Sequence, residues 1–252
     1  EISKHKIKVV ISGNGSDEIF SGYYDHHLAY LNDVKNKSIY KRSFYNWQKK
    51  IKPLIRNPLM KDHINYTKNR NYLNVIKGSN YSKEFSKKKF NIEFNDKKFT
   101  KSILKNRMIN EMFHESVPVI LQEEDINAMN FSIENRSPFL NSNLYKSLIN
   151  LPVTEYIHNG YAKSILRRSL KGIGPNHILK NYEKIGFNIS VNKLINFRSK
   201  KIVDFIKKKS PIYTFVKKNK ILQILNDKNM IMKNSIFLFK FLNAKIFLEM
   251  NK

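Results

Sequence analysis

Cysteine is absent from the 252 residues, which excludes a disulfide scaffold, a thiolate nucleophile, an iron–sulfur centre and any cysteine-based zinc site. Glycine and proline are scarce, at 8 and 7 residues, so collagen-like and low-complexity classes are out. Acidic residues are few, 20 against 47 Lys and Arg, for a formal charge of +27. Long apolar runs are missing too. The most hydrophobic stretch, Ile231 to Met250, contains Lys233, Lys240, Lys245 and Glu249, which makes it a poor membrane span. We expect a cytoplasmic protein with no membrane partner.

What is present suffices for a core: 41% of residues are hydrophobic, with 17 Phe and 13 Tyr. The length fits one large domain or two small ones. Charge alone suggests a nucleic-acid partner and a basic binding module. Yet 39 Lys stand against 8 Arg, and bidentate phosphate and base recognition leans on arginine. With 32 Asn, the composition also matches an AT-rich coding sequence. Nucleic acid is therefore not the expected partner, and an even scatter of lysines would argue for coding bias.

Ile7-Lys8-Val9-Val10-Ile11 reads as a parallel strand covered by helices on both faces. Phe20 to Asn32 reads as a helix or irregular helical stretch rich in aromatics, and residues 30–95 as a variable helical region that offers no chemistry. Thr100 to Glu115 is a helix whose Ile103, Leu104, Met108, Ile109, Met112 and Phe113 form one apolar stripe. Further helices are expected from Val119 to about Ile133, around Leu144 to Leu151, and from Ala162 to Lys171. Glu134 and Arg136 would sit at the end of the first of these, with Met129 and Ile133 sharing a buried face. One strand cannot make a sheet, and the chain opens on Glu1 at its edge. We therefore expect partner strands before residue 1 and read the chain as a piece of a longer protein.

The most informative stretch is Ser12-Gly13-Asn14-Gly15-Ser16-Asp17-Glu18-Ile19-Phe20-Ser21-Gly22-Tyr23. It follows a strand directly, at the carboxyl end where open parallel sheets bind ligands. Its glycines allow unusual dihedrals and close backbone approach, and a carboxylate here can hold Mg²⁺ against nucleotide phosphates. A helix cap after a tight turn explains the same residues. The pattern is neither a P-loop nor a dinucleotide fingerprint. Two more clusters stand out: Glu123-Glu124-Asp125 running on to Glu134-Asn135-Arg136-Ser137-Pro138-Phe139-Leu140, and Lys163-Ser164-Ile165-Leu166-Arg167 followed by Lys184-Ile185-Gly186-Phe187. Read plainly, Glu134 and Arg136 are a surface ion pair. Fixed cations such as Lys163 and Lys184 could stabilise departing pyrophosphate.

Together these three clusters resemble the asparagine synthetase family: Ser-Gly-x-Gly-x-Asp-Glu-Leu-Phe-Gly-Gly-Tyr, then Glu-Asp-Arg-x-Ser-Met with Glu-x-Arg-x-Pro-Phe-Leu-Asp, then Lys-x-x-Leu-Arg with Arg-x-Lys-x-Gly-Phe. The likeness covers about residues 6–24 and 118–190. It implies an α/β fold, the carboxyl-terminal part of an ATP-pyrophosphatase domain of adenine-nucleotide α-hydrolase type, mostly helical here with one or few parallel strands. It implies a ligase that uses ATP and Mg²⁺ to adenylate a carboxylate, aspartate or a relative, and transfers ammonia to form an amide. The ammonia would come from a glutaminase domain outside this chain, and the resemblance admits a homodimer. On its own the chain is expected not to complete the reaction.

Residue by residue, the resemblance implies that Asp17 binds the metal and that Ser12, Gly13, Gly15, Ser16, Lys163 and Lys184 hold the nucleotide or pyrophosphate. It puts Glu134, Lys184 and Asn14 in the catalytic set, and Glu18 and Arg136 in the acceptor site or a structural role. Asn14 cannot serve as a general base, though it can position a carboxyl or amide group. Asn141 replaces the usual aspartate after Pro-Phe-Leu, and Tyr182 replaces the first arginine of the last motif. An inactive or scaffold-like relative is the alternative. The enzyme reading requires the turn after Ile11 and the lysine before Gly186 to converge on one phosphate-sized space.

Overall fold

The computed structural model describes residues 2–68, 84–87, 96–186 and 190–251. They fall into two compact units, Glu1–Leu73 with Phe94–Lys184, and Asn74–Glu93 with Ile185–Lys252. Most of the chain is helical, and a small parallel sheet makes the fold α/β. Residues 69–83 and 88–95 of the expected variable region, and Phe187 of the last motif, lie outside the described residues.

In the first unit, β1 (Val9–Ile11) pairs in parallel with β2 (Glu134–Arg136), in the register Val9 to Glu134, Val10 to Asn135 and Ile11 to Arg136. The second strand corrects the sequence reading, which put Glu134 and Arg136 at a helix end. Glu-Asn-Arg has no β-branched or alternating pattern, so the strand is specified by its pairing. The preceding helix stops early because Ser132 turns left-handed at φ 53°, and Ile133 N–H reaches back to the Ala128 carbonyl at 3.0 Å. Met129 is consequently exposed while Ile133 is buried, so the two do not share a face. Nor is β1 covered on both faces. Val9 and Ile11 are 41% and 77% exposed, and among the described residues β2 is its single partner.

Helix α1 (Ser16–Phe20) carries Asp17 and Glu18 in its first turn, and α2 (Tyr24–Asp33) takes up most of the helical stretch expected from Phe20 to Asn32. The break falls at Ser21, left-handed at φ 65°, and the Gly22 N–H caps the Asp17 carbonyl at 2.7 Å. Then come α3 (Tyr40–Asn46), running into a π-type turn at Trp47–Ile51, and α4 (His63–Lys68). α5 (Ile103–Phe113) begins on Ser102, and the Asp33 carboxylate accepts from the N–H groups of Ile103 and Leu104 at 2.7 and 3.0 Å, satisfying donors that a helix start leaves unpaired. α6 (Ser116–Met129), α7 (Ser142–Ile149), α8 (Val153–Tyr156), α9 (Ser164–Ser169) and α10 (Asn176–Leu179) complete the unit. Asn141 caps α7, its side-chain oxygen accepting from Asn143 and Leu144 N–H. The replacement of aspartate therefore leaves this cap intact.

The apolar stripe of α5 is only half buried. Leu104, Met108 and Met112 point inward, but Ile103 and Phe113 are exposed, and Arg107, Asn110 and Glu111 take the remaining inward positions. Arg107 donates to Glu111 Oε1 at 2.9 Å, to Asp96 at 2.7 Å and to Glu115 at 2.8 Å. Glu111 also bonds His26 at 2.6 Å. One guanidinium thus neutralises a set of carboxylates between α2 and α5.

The second unit comprises α11 (Val191–Leu194), α12 (Lys200–Lys207), α13 (Lys218–Leu225), α14 (Lys228–Lys233) and α15 (Ser235–Met250). Phe197, Ile206, Ile221, Ile224, Leu238 and Phe241 form its core. Lys245 is fully buried, pairs with Glu249 and lies over the Phe205 and Tyr213 rings at 4.7 and 5.6 Å. Among the described residues, no helix is long and apolar enough to cross a membrane.

Replacing Arg107 with Met should cost about 3–5 kcal/mol of stability, because it strands buried carboxylates. Urea unfolding at pH 7 measures this, and a loss below about 1 kcal/mol would contradict the assigned role of the guanidinium.

Candidate functional site

The two strands end side by side. Ser12 N–H continues the ladder to the Arg136 carbonyl at 2.8 Å, and the Ser12 and Ser137 hydroxyls lie 2.9 Å apart. Between β1 and α1 the two turn glycines do different things. Gly15 adopts φ 82°, and a Cβ there would fall 2.2 Å from Leu140 Cδ2, so only glycine fits the conformation and the space. A Cβ on Gly13 would meet nothing within 4 Å, which leaves that backbone open.

Asp17 follows at the second position of α1. Lys163 Nζ lies 2.7 Å from its Oδ1 and Lys184 Nζ 2.5 Å from its Oδ2. Lys163 also donates to Ser16 Oγ at 2.9 Å. Asp17, Lys163 and Lys184 are 17%, 23% and 30% exposed at their side chains, a half-sheltered cluster open to solvent. Burial pushes the Asp17 carboxyl upward, but the two ammonium groups outweigh it and hold the carboxyl below its ordinary value. The pair of opposing effects has a definite sign. A carboxyl depressed on folding stabilises above its unfolded pKa, and that contribution is lost as pH falls through the folded value.

A local turn aims Lys163, and a backbone hydrogen bond anchors Lys184. His158 and Tyr161 exchange backbone hydrogen bonds at 3.1 and 2.9 Å across Asn159 and Gly160, both at positive φ, a tight Asn-Gly turn. Lys163 then takes φ 54° and ψ 35°, a left-handed conformation that costs a non-glycine residue roughly 1–3 kcal/mol and tends to mark functional positions. Arg167, four residues on, turns away and binds the Ala162, Ile178 and Leu179 carbonyls at 2.8–2.9 Å. Lys184 is anchored by its own N–H, which donates to the Tyr24 hydroxyl at 3.1 Å, and its ammonium lies 5.3 Å from the Tyr23 ring centre. Tyr182 stacks on Tyr161 at 4.0 Å and accepts from Lys50 Nζ at 2.9 Å. A lysine from the π-type turn thus stands beside the position where the motif has arginine.

The acidic residues sort into two groups. Glu134 and Arg136 pair with each other at 2.8 Å, both more than half exposed; this is neither a buried ion pair nor a contact with Asp17. Glu124 instead meets the turn: Asn14 Nδ2 donates to Glu124 Oε2 at 2.5 Å, and Asn135 donates to the same oxygen. The acidic run that contains Glu124 was visible in the sequence, but helical spacing could not say which of its members faces the turn. Glu18 is buried and accepts from the Tyr23 hydroxyl at 2.6 Å. Burial raises its pKa, and the Tyr23 bond opposes that rise. Tyr23 N–H reaches His26 Nδ1 at 3.5 Å, leaving Nε2 for Glu111. Asp25, His26 and Glu111 gather like metal ligands, but Arg107 and His26 already occupy the Glu111 oxygens, so the cluster reads as a neutralised support.

Parallel strand ends that open on a glycine turn, a carboxylate and converging lysines define an α/β domain with a charged cluster at the carboxyl end of its sheet. The family model for asparagine synthase matches residues 1–241, and the chain belongs to that family. It is similar to asparagine synthetase [glutamine-hydrolyzing] 1 of Bacillus subtilis (strain 168), with 31% identity over 108 residues. That stretch covers 43% of this chain and 17% of the Bacillus protein. No solved structure matches the chain.

Gly22 keeps the cluster closed: a Cβ there would fall 1.8 Å from Asp17 Oδ1 and 2.6 Å from Lys163 Cε. Gly22→Ala should push Asp17 off the lysines, raise its carboxyl pKa toward the ordinary range and lower stability at pH 7. Carbon-13 titration of the Asp17 carboxyl in the variant reads this directly. An unmoved titration curve would contradict the assigned packing.

Proposed function

We propose that this chain handles the ATP phosphates in an ATP-dependent amidotransferase reaction of the asparagine synthetase type. The observation that carries the reading is the convergence of Asp17, Lys163 and Lys184, which come from three separate parts of the sequence. In the proposed reaction a substrate carboxylate oxygen attacks the α-phosphorus of ATP, the bond to the β-phosphate bridging oxygen breaks, and pyrophosphate leaves. Ammonia or another amine then attacks the acyl carbon, and AMP departs with the oxygen that linked it. Aspartate is the proposed carboxylate.

Lys163 and Lys184 would take up the charge that develops on the departing pyrophosphate, and they need little reorganisation because their backbones are already fixed. The open Gly13 backbone and the Ser12 and Ser16 hydroxyls lie where phosphate oxygens could be bound. Asp17 fits Mg²⁺ in the way that cation is usually held with nucleotides, by one or two carboxylates with phosphates and water filling the rest. When bound, the ion would neutralise phosphate charge. Asn14 cannot move a proton, so that duty falls to the carboxylate it touches, Glu124. Glu134 would serve only if Arg136 released it. We also propose a separate glutaminase domain as the source of ammonia.

Lys163→Ala and Lys184→Ala should each weaken pyrophosphate binding to the full chain about ten-fold or more, the scale of a lost charged hydrogen bond. Lys171→Ala, at an exposed lysine, should leave it unchanged. Calorimetric titration with Mg²⁺ present decides; equal affinity in all four proteins would contradict the reading.

A further inference from the structure

The Asp17 cluster carries one negative and two positive groups, and each carboxylate oxygen has its own ammonium group, at 2.7 Å on Oδ1 and 2.5 Å on Oδ2. A free divalent cation approaching that carboxylate meets two like charges at contact distance, and must displace one or bind between them. Mg²⁺ binds oxygen ligands at about 2.0–2.1 Å and tolerates little departure from octahedral geometry, so sharing an oxygen with an ammonium is unfavourable. Free protein should therefore favour an anion over a cation at this site.

We infer that Lys163 and Lys184 latch Asp17 against free divalent cations, and that a bound polyphosphate opens the latch by drawing the ammonium groups off the carboxylate. The inference rests on the proposed polyphosphate reading and deepens it by fixing the order and coupling of binding. The geometry suits a latch. The backbones are pinned, Lys163 by the turn before it and Lys184 through Tyr24, while their ammonium ends sit on flexible, partly exposed stems. Each head can swing without moving the chain. A polyphosphate offers both heads several anionic oxygens, and the carboxylate they leave becomes available to a cation bound to the same phosphates. Binding linkage is reciprocal, so whatever the polyphosphate does for the cation, the cation does for the polyphosphate.

The latch predicts a sign that a simple anion site does not. Removing one ammonium should weaken anion binding and strengthen cation binding. We would titrate the full chain with Mn²⁺ alone, read by electron paramagnetic resonance, and separately with metal-free pyrophosphate by calorimetry. Wild type should bind pyrophosphate without metal. Lys163→Met should bind Mn²⁺ about ten-fold tighter and pyrophosphate about ten-fold weaker than wild type. Adding Asp17→Asn should abolish the gained Mn²⁺ binding. If Lys163→Met does not give a cooperative melt, Lys184→Met carries the same test. Pyrophosphate binding by wild type with no Mn²⁺ gain in the folded variant would overturn the latch alone. Failure of wild type to bind metal-free pyrophosphate would overturn the latch, and failure to bind it with Mg²⁺ present as well would overturn the polyphosphate reading.

Discussion

Two ammonium groups on one half-sheltered carboxylate hold the elements at the strand ends of this protein together. Asp17 leaves β1 through the glycine turn, Lys163 follows a tight Asn-Gly turn, and Lys184 arrives where Tyr24 fixes the backbone. Each element is short and would be poorly specified alone. The ion contacts, with the space left by Gly22, set their mutual positions. Surface ion pairs contribute little, but here partial burial and fixed backbones concentrate charge at one place, as a site for a charged ligand requires.

Behind this cluster lies a second electrostatic layer. The Tyr23 hydroxyl bonds buried Glu18, its backbone reaches His26, His26 bonds Glu111, and Arg107 ties Glu111 to further carboxylates. The layer joins α1, α2 and α5 through polar contacts where an apolar core would be ordinary. Such a network fixes side-chain positions tightly because an unsatisfied member is costly. It reaches α1 through Glu18 and Tyr23 and leaves the Asp17 carboxylate to the two lysines.

The sequence made the turn and the two lysines legible because each sits in a dense motif with glycine or proline punctuation. The helices were legible in type and less so in extent. Ser21 and Ser132, both left-handed without being glycine, ended helices where apolar spacing ran on. Strand β2 was illegible: Glu-Asn-Arg has no strand pattern, and only pairing with Val9–Ile11 makes it one. The partnership of Asn14 with Glu124 was illegible for a related reason, since a run of three acids on a helix does not reveal which one a distant turn will meet. Arg107 and Glu111 were hidden inside what read as an apolar stripe, because periodicity reports hydrophobic faces and not buried charge that is neutralised locally.

The high lysine content gives no guide to the site by itself. Lys163 and Lys184 are distinguished from the other lysines by the turn before Lys163, the Tyr24 anchor of Lys184 and the carboxylate they share. The most direct measurement is therefore to follow lysine amine resonances, assigned by single replacements, while pyrophosphate is added to the full chain. The account predicts that Lys163 and Lys184 shift together with one midpoint. Shifts confined to other lysines, with these two unmoved at saturation, would contradict it.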